Sequence, residues 1–281
     1  MEIREASGLA ISRRNPGLLW VHNDSGGQPL LHAIEPNGTY RGAVRIEGAR
    51  NIDWEDIASF ELDGKPWLLI ADTGDNAGKG KNRELLVVAE PDPASLDPLK
   101  ETSATVAWKI PVRYADGPRD CEAVAVEAKA GLVYLLSKRD TPPRLYTLPL
   151  RPAAANADAG TADNNIVAAA KFVAQIKNLP QPEGAQLFLD IPSGRYRAQP
   201  TSMDFAADGS MAVILTYGDV LLFTRNGNES WADTLQRKPT LLPPHTLLQA
   251  EAISFNQNAT ALHVAGEGLR TAVLRYRLPP R

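Results

Sequence analysis

Short apolar runs bounded by turn residues dominate the 281-residue chain. "GLLWVHND", "PWLLIADTG", "ELLVVAEP", "GLVYLLSK", "MAVILTYG", "DVLLFTRNG" and "ALHVAGEG" have the length and composition of strands, and Gly, Pro, Asn and Asp punctuate them. Helical periodicity is scarce. The pattern predicts an all-β fold of many short strands, and the 21 glycines and 22 prolines agree with frequent turns.

Repetition narrows the architecture. Five segments share one pattern: "EASGLAIS" from Glu5, "DWEDIASF" from Asp53, "DCEAVAVE" from Asp120, "QPTSMDFA" from Gln199 and "QAEAISFN" from Gln249. Each is followed by a second apolar strand ending in a polar turn, then usually by a strand, a turn and a strand. Four strands per repeat make a propeller blade. The expectation is a single five-bladed β-propeller domain over residues 1–281, with blade starts near 5, 53, 120, 199 and 249. The alternative is a six-bladed one, with the extra blade inside residues 179–198. Residues 151–165, "RPAAANADAGTADNN", read as a mobile low-complexity insertion. The last repeat stops after three strands, so closure would need a strand borrowed from "MEIR".

In a propeller the starts of the inner strands and the turns after the second strands meet on one face, beside the axis. The third motif position then gathers Ser7, Glu55, Glu122, Thr201 and Glu251. The first gathers Glu5, Asp53, Asp120, Gln199 and Gln249, and the turns add Asp24, Asp72, Asp75, Asp140, Asp219 and Glu267. Two carboxylates ~6 Å apart repel by roughly 3 kcal/mol at an effective dielectric near 20. Such a ring must protonate, pair with cations or bind a metal. Its donors are all oxygen, which suits Ca²⁺ first and Mg²⁺ or Mn²⁺ next. Arg4, Arg50, Arg119 and Arg197 precede the motifs and offer the other solution, an arginine–carboxylate network.

Bulk properties remove some function classes. A net charge of −3 gives no footing for nucleic acid. No apolar run approaches the ~20 residues of a membrane-spanning helix. The single cysteine, Cys121, forms no internal disulfide and reads as a packed thiol between two acids. No export signal is visible in "MEIREASG", which leaves open a cytoplasmic chain or a periplasmic or secreted one whose signal was removed. Nothing in the pattern sets an oligomeric state.

The order Ser, Glu, Glu, Thr, Glu over five repeats resembles the calcium-activated nucleotidases, the soluble five-bladed apyrases. "DCEAVAVEAKAGLVYLLSKRD" is similar to a stretch of β-propeller phytases, and the texture of "EASGLA", "WEDIA" and "CEAVAV" resembles phytase-like and SdiA-regulated bacterial propellers. The resemblance implies Ser7, Glu55, Glu122, Thr201 and Glu251 as Ca²⁺ ligands, and phosphate esters or anhydrides as the leading substrate class.

A Ca²⁺-dependent phosphohydrolase needs cations for the phosphoryl charge and a group that activates water. Lys138, Arg139 and Asp140 after "VYLLS", and Arg83 with Lys79 and Lys81 in "DNAGKGKNRE", are the substrate-binding candidates for a small, anionic ligand. Asp24, His22 and Asp72 are the candidates for catalysis. Two alternatives stand beside this: a lactonase- or glycosidase-type propeller enzyme, and a non-catalytic ligand-binding or scaffold propeller whose ion pins the axis.

Overall fold

A computed structural model describes residues 3–76, 78, 83–151, 169–268 and 272–279. The apolar runs become nineteen strands among these residues. The first repeat gives β1 (Ala6–Ile11), β2 (Leu19–Asn23), β3 (Leu30–Ile34) and β4 (Tyr40–Glu47); the second gives β5 (Trp54–Leu62), β6 (Lys65–Asp72), β7 (Glu84–Ala89) and β8 (Glu101–Pro111). The third gives β9 (Cys121–Glu127), β10 (Leu132–Ser137), β11 (Arg144–Pro149) and β12 (Lys171–Gln175); the fourth gives β13 (Pro200–Phe205), β14 (Met211–Thr216), β15 (Val220–Thr224) and the short β16 (Thr240–Leu241). The last has three, β17 (Ala250–Phe255), β18 (Ala261–Gly266) and β19 (Leu274–Arg277). One short helix, α1 (Trp231–Leu235), precedes β16, and its N-cap is Ser230, whose hydroxyl accepts the Asp233 N–H.

Each repeat folds as an antiparallel meander. The outer strands of the first two, β4 and β8, pair in parallel and fuse those meanders into one eight-stranded sheet. The first strands β1, β5, β9, β13 and β17 neighbour one another in turn, and β17 lies against β1. The arrangement is all-β and propeller-like. Apolar side chains fill the gaps between successive meanders, and a further cluster around Leu9, Leu19 and Ala252 joins the last to the first. Trp20 and Trp54, wholly buried between the first two, illustrate the driving force, roughly 1.5–3 kcal/mol for a large apolar side chain.

Two expectations meet the structure differently. The chain ends come together through side-by-side packing and through the Gly268 N–H bonded to the Arg4 carbonyl at 2.8 Å. Residues 179–198 hold a 3₁₀ turn, Gly184–Phe188, and no strand, so nothing there forms a further meander. Residues 152–168, most of the low-complexity insertion, lie outside the described residues, as do Lys79 and Lys81. No helix among the described residues is long and apolar enough to cross a membrane.

Candidate functional site

The same irregularity recurs at the start of every inner strand. Ala6 and Gly8 pair with consecutive residues of β2, so Ser7 has no partner of its own. Glu55, Glu122, Thr201 and Glu251 are skipped in the same way. A β-bulge inserts one residue and re-aims its side chain. The five residues at the third motif position are therefore the five bulge residues.

A second equivalence follows from the backbone. The N–H groups of Asp24, Gly74, Lys138, Tyr217 and Glu267 donate to the carbonyls of Glu5, Asp53, Asp120, Gln199 and Gln249, the first motif residues. These five form an upper tier over the bulge ring. Asp72, gathered with Asp24 among the turn acids, is not its equivalent. Asp72 occupies the place of Asn23, since it pairs with Trp54 as Asn23 pairs with Ala6.

The bulge residues differ in how they are satisfied. The Ser7 hydroxyl donates to the Glu55 carbonyl at 2.8 Å, and the Thr201 hydroxyl to the Ala250 carbonyl at 2.7 Å, so both stitch neighbouring inner strands. Glu122 pairs with the buried Lys138 ammonium, which also stands 4.9 Å above the Tyr217 ring. Burial holds Glu251 up to about 7, while nearby Lys138 and Tyr217 pull it down. Burial opposes charge on Lys138, yet Glu122 and Glu251 hold its ammonium well above the ordinary lysine range.

Glu55 is different. It is 4% exposed, and among the described residues its carboxylate has neither a hydrogen bond nor an ion pair. Its ligand atom lies within 4.8 Å of carboxylate oxygens of Asp24 and Asp53, and it also groups in this way with Asp120 and Glu122. Burial first, then the charges of Glu122 and Asp24, push Glu55 well above the usual carboxylate range. Burial likewise raises Asp24 and Asp53. Gly74 makes the approach possible: a Cβ there would stand 1.9 Å from Glu55 Oε1 and 2.5 Å from Asp53 Oδ2. The sequence pattern does not single out Gly74 or Tyr217, although Tyr217 directly follows its second strand in "LTYGD" and Gly74 lies two residues past its own in "ADTGDN".

One level deeper, the residues after the bulges are Gly8, Asp56, Ala123, Ser202 and Ala252. Four are small, and Asp56 occupies the space they leave. Its carboxylate accepts the Ile57 and Val124 N–H groups at 2.9 and 2.8 Å, the Ser202 hydroxyl at 2.9 Å and the Met203 N–H at 3.2 Å. It ties β5 to β9 and β13, and the Ser202 hydroxyl oxygen accepts the Ile253 N–H of β17.

The remaining predicted residues fall around this core. His22 is wholly buried, packed edge-on against Trp54 and over Gly8, and burial lowers it to about 4. It does not open onto the mouth. Asp72 is buried and accepts the Asp53 N–H at 2.8 Å, and burial raises it to about 6. Arg83 pairs with Asp75 at 3.2 Å and stands 3.9 Å from Asp53. Arg139 pairs with Asp120 at 2.5 Å, and Asp140 with Arg119 at 3.2 Å. Arg139 and Asp140 share a cleft of about 370 Å³ with Asp75, Asp120 and Arg119. Arg119 and Arg197, offered for an arginine–carboxylate network, pair with the turn acids Asp140 and Asp219, and Arg119 also with Asp116. Lys138, Arg139 and Arg83, assigned to substrate, pair with the motif acids Glu122, Asp120 and Asp53. Cys121 is buried, and burial drives its thiol far above the ordinary range.

No protein-family model matches the chain, and no curated protein matches its sequence. Solved structures resemble it in fold. The PQQ-bound aldose sugar dehydrogenase of Streptomyces coelicolor aligns over 98% of this chain and 96% of that one, with a TM-score of 0.51 and 10% identity. The periplasmic gluconolactonase PpgL of Pseudomonas aeruginosa aligns over 98% of this chain and 69% of that one, with a TM-score of 0.41 and 16% identity. At these identities the likeness is one of fold alone.

Proposed function

We propose that the chain is a five-bladed propeller hydrolase whose acidic mouth works with one hard divalent cation, Ca²⁺ before Mg²⁺ or Mn²⁺. The observation that carries this reading is Glu55, a buried carboxylate with no hydrogen-bond donor and no ion-pair partner among the described residues, set among the carboxylates of Asp24 and Asp53. A buried charge in that position is costly unless a cation joins it. The donor set is oxygen throughout and fits a hard ion; imidazole and thiolate, which zinc or copper would favour, do not reach it. Asp24, Asp53 and Glu55 would hold the ion, which would supply Lewis-acid polarisation of an ester carbonyl and a more acidic water.

The substrate class follows from the cations. Lys138, Arg139 and Arg83 are each paired with a carboxylate of the mouth. A phosphoryl group would have to break those pairs, against a surplus of negative charge. A neutral, hydroxyl-rich ester such as a sugar lactone needs no such exchange, because carboxylates accept hydrogen bonds from its hydroxyls. The paired cations therefore favour a lactone over a phosphate ester or anhydride. Glu251, held near neutrality beside Tyr217, is placed to carry the proton of ring opening.

The test is a melting curve in chelator and then in Ca²⁺, Mg²⁺ or Mn²⁺, followed by turnover assays with sugar lactones, p-nitrophenyl phosphate, nucleotides and phytate. A rise in Tm with Ca²⁺ and hydrolysis of a lactone support the proposal. Phosphate release would return the substrate class to phosphate esters. A metal-dependent Tm with no turnover would leave a scaffold whose ion pins the axis, and no Tm response would remove the metal.

A further inference from the structure

Lys138 holds an unusual place in the upper tier. The equivalent positions carry Asp24, Gly74, Tyr217 and Glu267, so it is the one cation of that tier. Its side chain is 8% exposed, its ammonium pairs with a Glu122 carboxylate that is itself 4% exposed, and the Tyr217 ring lies below it. The two carboxylate groupings of the mouth share Glu55: one runs to Asp24 and Asp53, the other to Asp120 and Glu122. In the second, Glu122 is already occupied by Lys138, and Asp120 by Arg139. In the first, Arg83 stands 3.9 Å from Asp53, the charge of Lys138 reaches Asp24 and Glu55 only from beyond ion-pair distance, and the Glu55 carboxylate has no hydrogen bond or ion pair among the described residues. The mouth is thus divided into a half whose two further acids are each closely paired and a half that keeps only the long Arg83–Asp53 pair.

We propose that Lys138 is a tethered counter-cation that fills the Glu122–Glu251 half of the ring, so that the mouth takes a single divalent ion on Asp24, Asp53 and Glu55 and accepts a second only when Lys138 is removed. This rests on the metal-dependent reading above and deepens it. Two divalent ions sharing Glu55 would add four charges to one small volume already holding an ammonium. The ammonium has the charge and size to satisfy Glu122 while leaving coordination to the other half. A lysine is suited to this, being a compact point charge on a long stem, whereas the broad arginine fork would reach across the shared Glu55. The axial ring of five implied ligands is therefore replaced by an ion displaced toward the first and second repeats, with Ser7 and Thr201 acting through their inter-strand hydrogen bonds.

Calorimetric titration of chelator-stripped protein with Ca²⁺, and terbium luminescence as a second count, test the proposal. The native chain is expected to bind one ion, Lys138→Met two, and Glu55→Gln none. The double variant Lys138→Met/Glu122→Gln removes both charges of the buried pair and is expected to fold and bind one ion; it decides the location if Lys138→Met fails to fold. One ion in a folded Lys138→Met, two ions in the native chain, retention of the ion in Glu55→Gln, or its loss in the double variant would each overturn the proposal while the mouth remained a metal site. No ion in any protein would overturn the metal-dependent reading itself and the proposal with it.

Discussion

Glu55 and Asp56 are consecutive, both carboxylates and both buried, and they are solved in opposite ways. Asp56 receives four hydrogen-bond donors from three inner strands. Glu55, one bulge away, receives none. Among the described residues the deeper carboxylate is given four donors, and the upper one only the charge of Lys138 beyond ion-pair distance. A buried acid satisfied from within is a fastener; one left unsatisfied at a mouth, with a glycine cleared to let a second acid approach, is an invitation to a cation.

Removing the fastener is expected to have the largest effect. Asp56→Ala leaves the Val124 and Met203 N–H groups and the Ser202 hydroxyl facing a cavity, and should cost about 3–5 kcal/mol of unfolding free energy. Urea unfolding measures it. A cost below about 1 kcal/mol would mean that the layer is not what holds β5, β9 and β13 together.

Glu55→Gln should act in the reverse sense. It removes a buried acid and its repulsion with Glu122 and Asp24, so the chelator-treated protein should melt higher than the native chain above neutral pH. Stabilisation by Ca²⁺ should vanish in the same variant. Burial raises Asp56 as well as Glu55, so pH acts on both, and only the mouth carboxylates answer to Ca²⁺. Glu55, Glu122 and Glu251 have folded values above their ordinary ones, Glu251 at about 7, so the folded state binds more protons than the unfolded state. Their contribution to stability is full below about pH 4.5 and is lost as pH rises through the folded values. In chelator, Tm should therefore fall by several degrees between pH 5 and pH 8. Saturating Ca²⁺ should flatten that slope, because the ion favours the ionised form. An equal slope with and without Ca²⁺ would break the contrast drawn between the two residues.

The bulge ring was legible in the sequence because it is periodic. An acid or Gln followed two residues later by Ser, Thr or Glu at the head of each apolar run is a pattern that survives without coordinates, and it picked out Ser7, Glu55, Glu122, Thr201 and Glu251 together. The pairing of the long side chains was not legible. Lys138 and Arg139 follow the second strand of the third repeat and could as well have pointed at a ligand; only packing beside Tyr217 and Asp120 shows where their charge is spent. His22 looked like a base at a strand end, and the missing Cβ of Gly8, which makes room for its ring, is invisible to strand periodicity. Asp56 stood out as an acid among small residues, but its depth depends on the other four inner strands leaving room at the axis.

Gly74 sharpens the comparison by testing the mouth without touching a charge. A methyl group at this position would meet Glu55 Oε1 and Asp53 Oδ2 well inside contact distance, so the two carboxylates must part. Gly74→Ala should weaken Ca²⁺ by about 10–100-fold, the scale on which groups that orient metal ligands act. Its chelator-treated stability should change little, since the parting also relieves repulsion. Unchanged Ca²⁺ affinity would place the ion away from Asp53 and Glu55.

The smallest effect is expected at Arg139. Its side chain is 49% exposed and its partner Asp120 is 3% exposed, so the pair spans the rim of the mouth and its interior. An exposed cation contributes little to stability, about 0–1 kcal/mol for a surface pair. Arg139→Gln should nevertheless tighten Ca²⁺ by about twofold, because a unit charge ~8 Å from a divalent ion in a hydrated mouth is worth about 1 kcal/mol unscreened and about 0.4 kcal/mol at a Debye length of ~8 Å. High salt should erase that gain, since it screens the rim and not the buried carboxylates. Lys138, buried and one residue earlier, should respond to salt hardly at all, so the two neighbours divide the local positive charge into a screened part and an unscreened part. A twofold gain that survived at 1 M salt would move Arg139 into the interior with Lys138 and remove the division of the mouth on which the single-ion proposal stands.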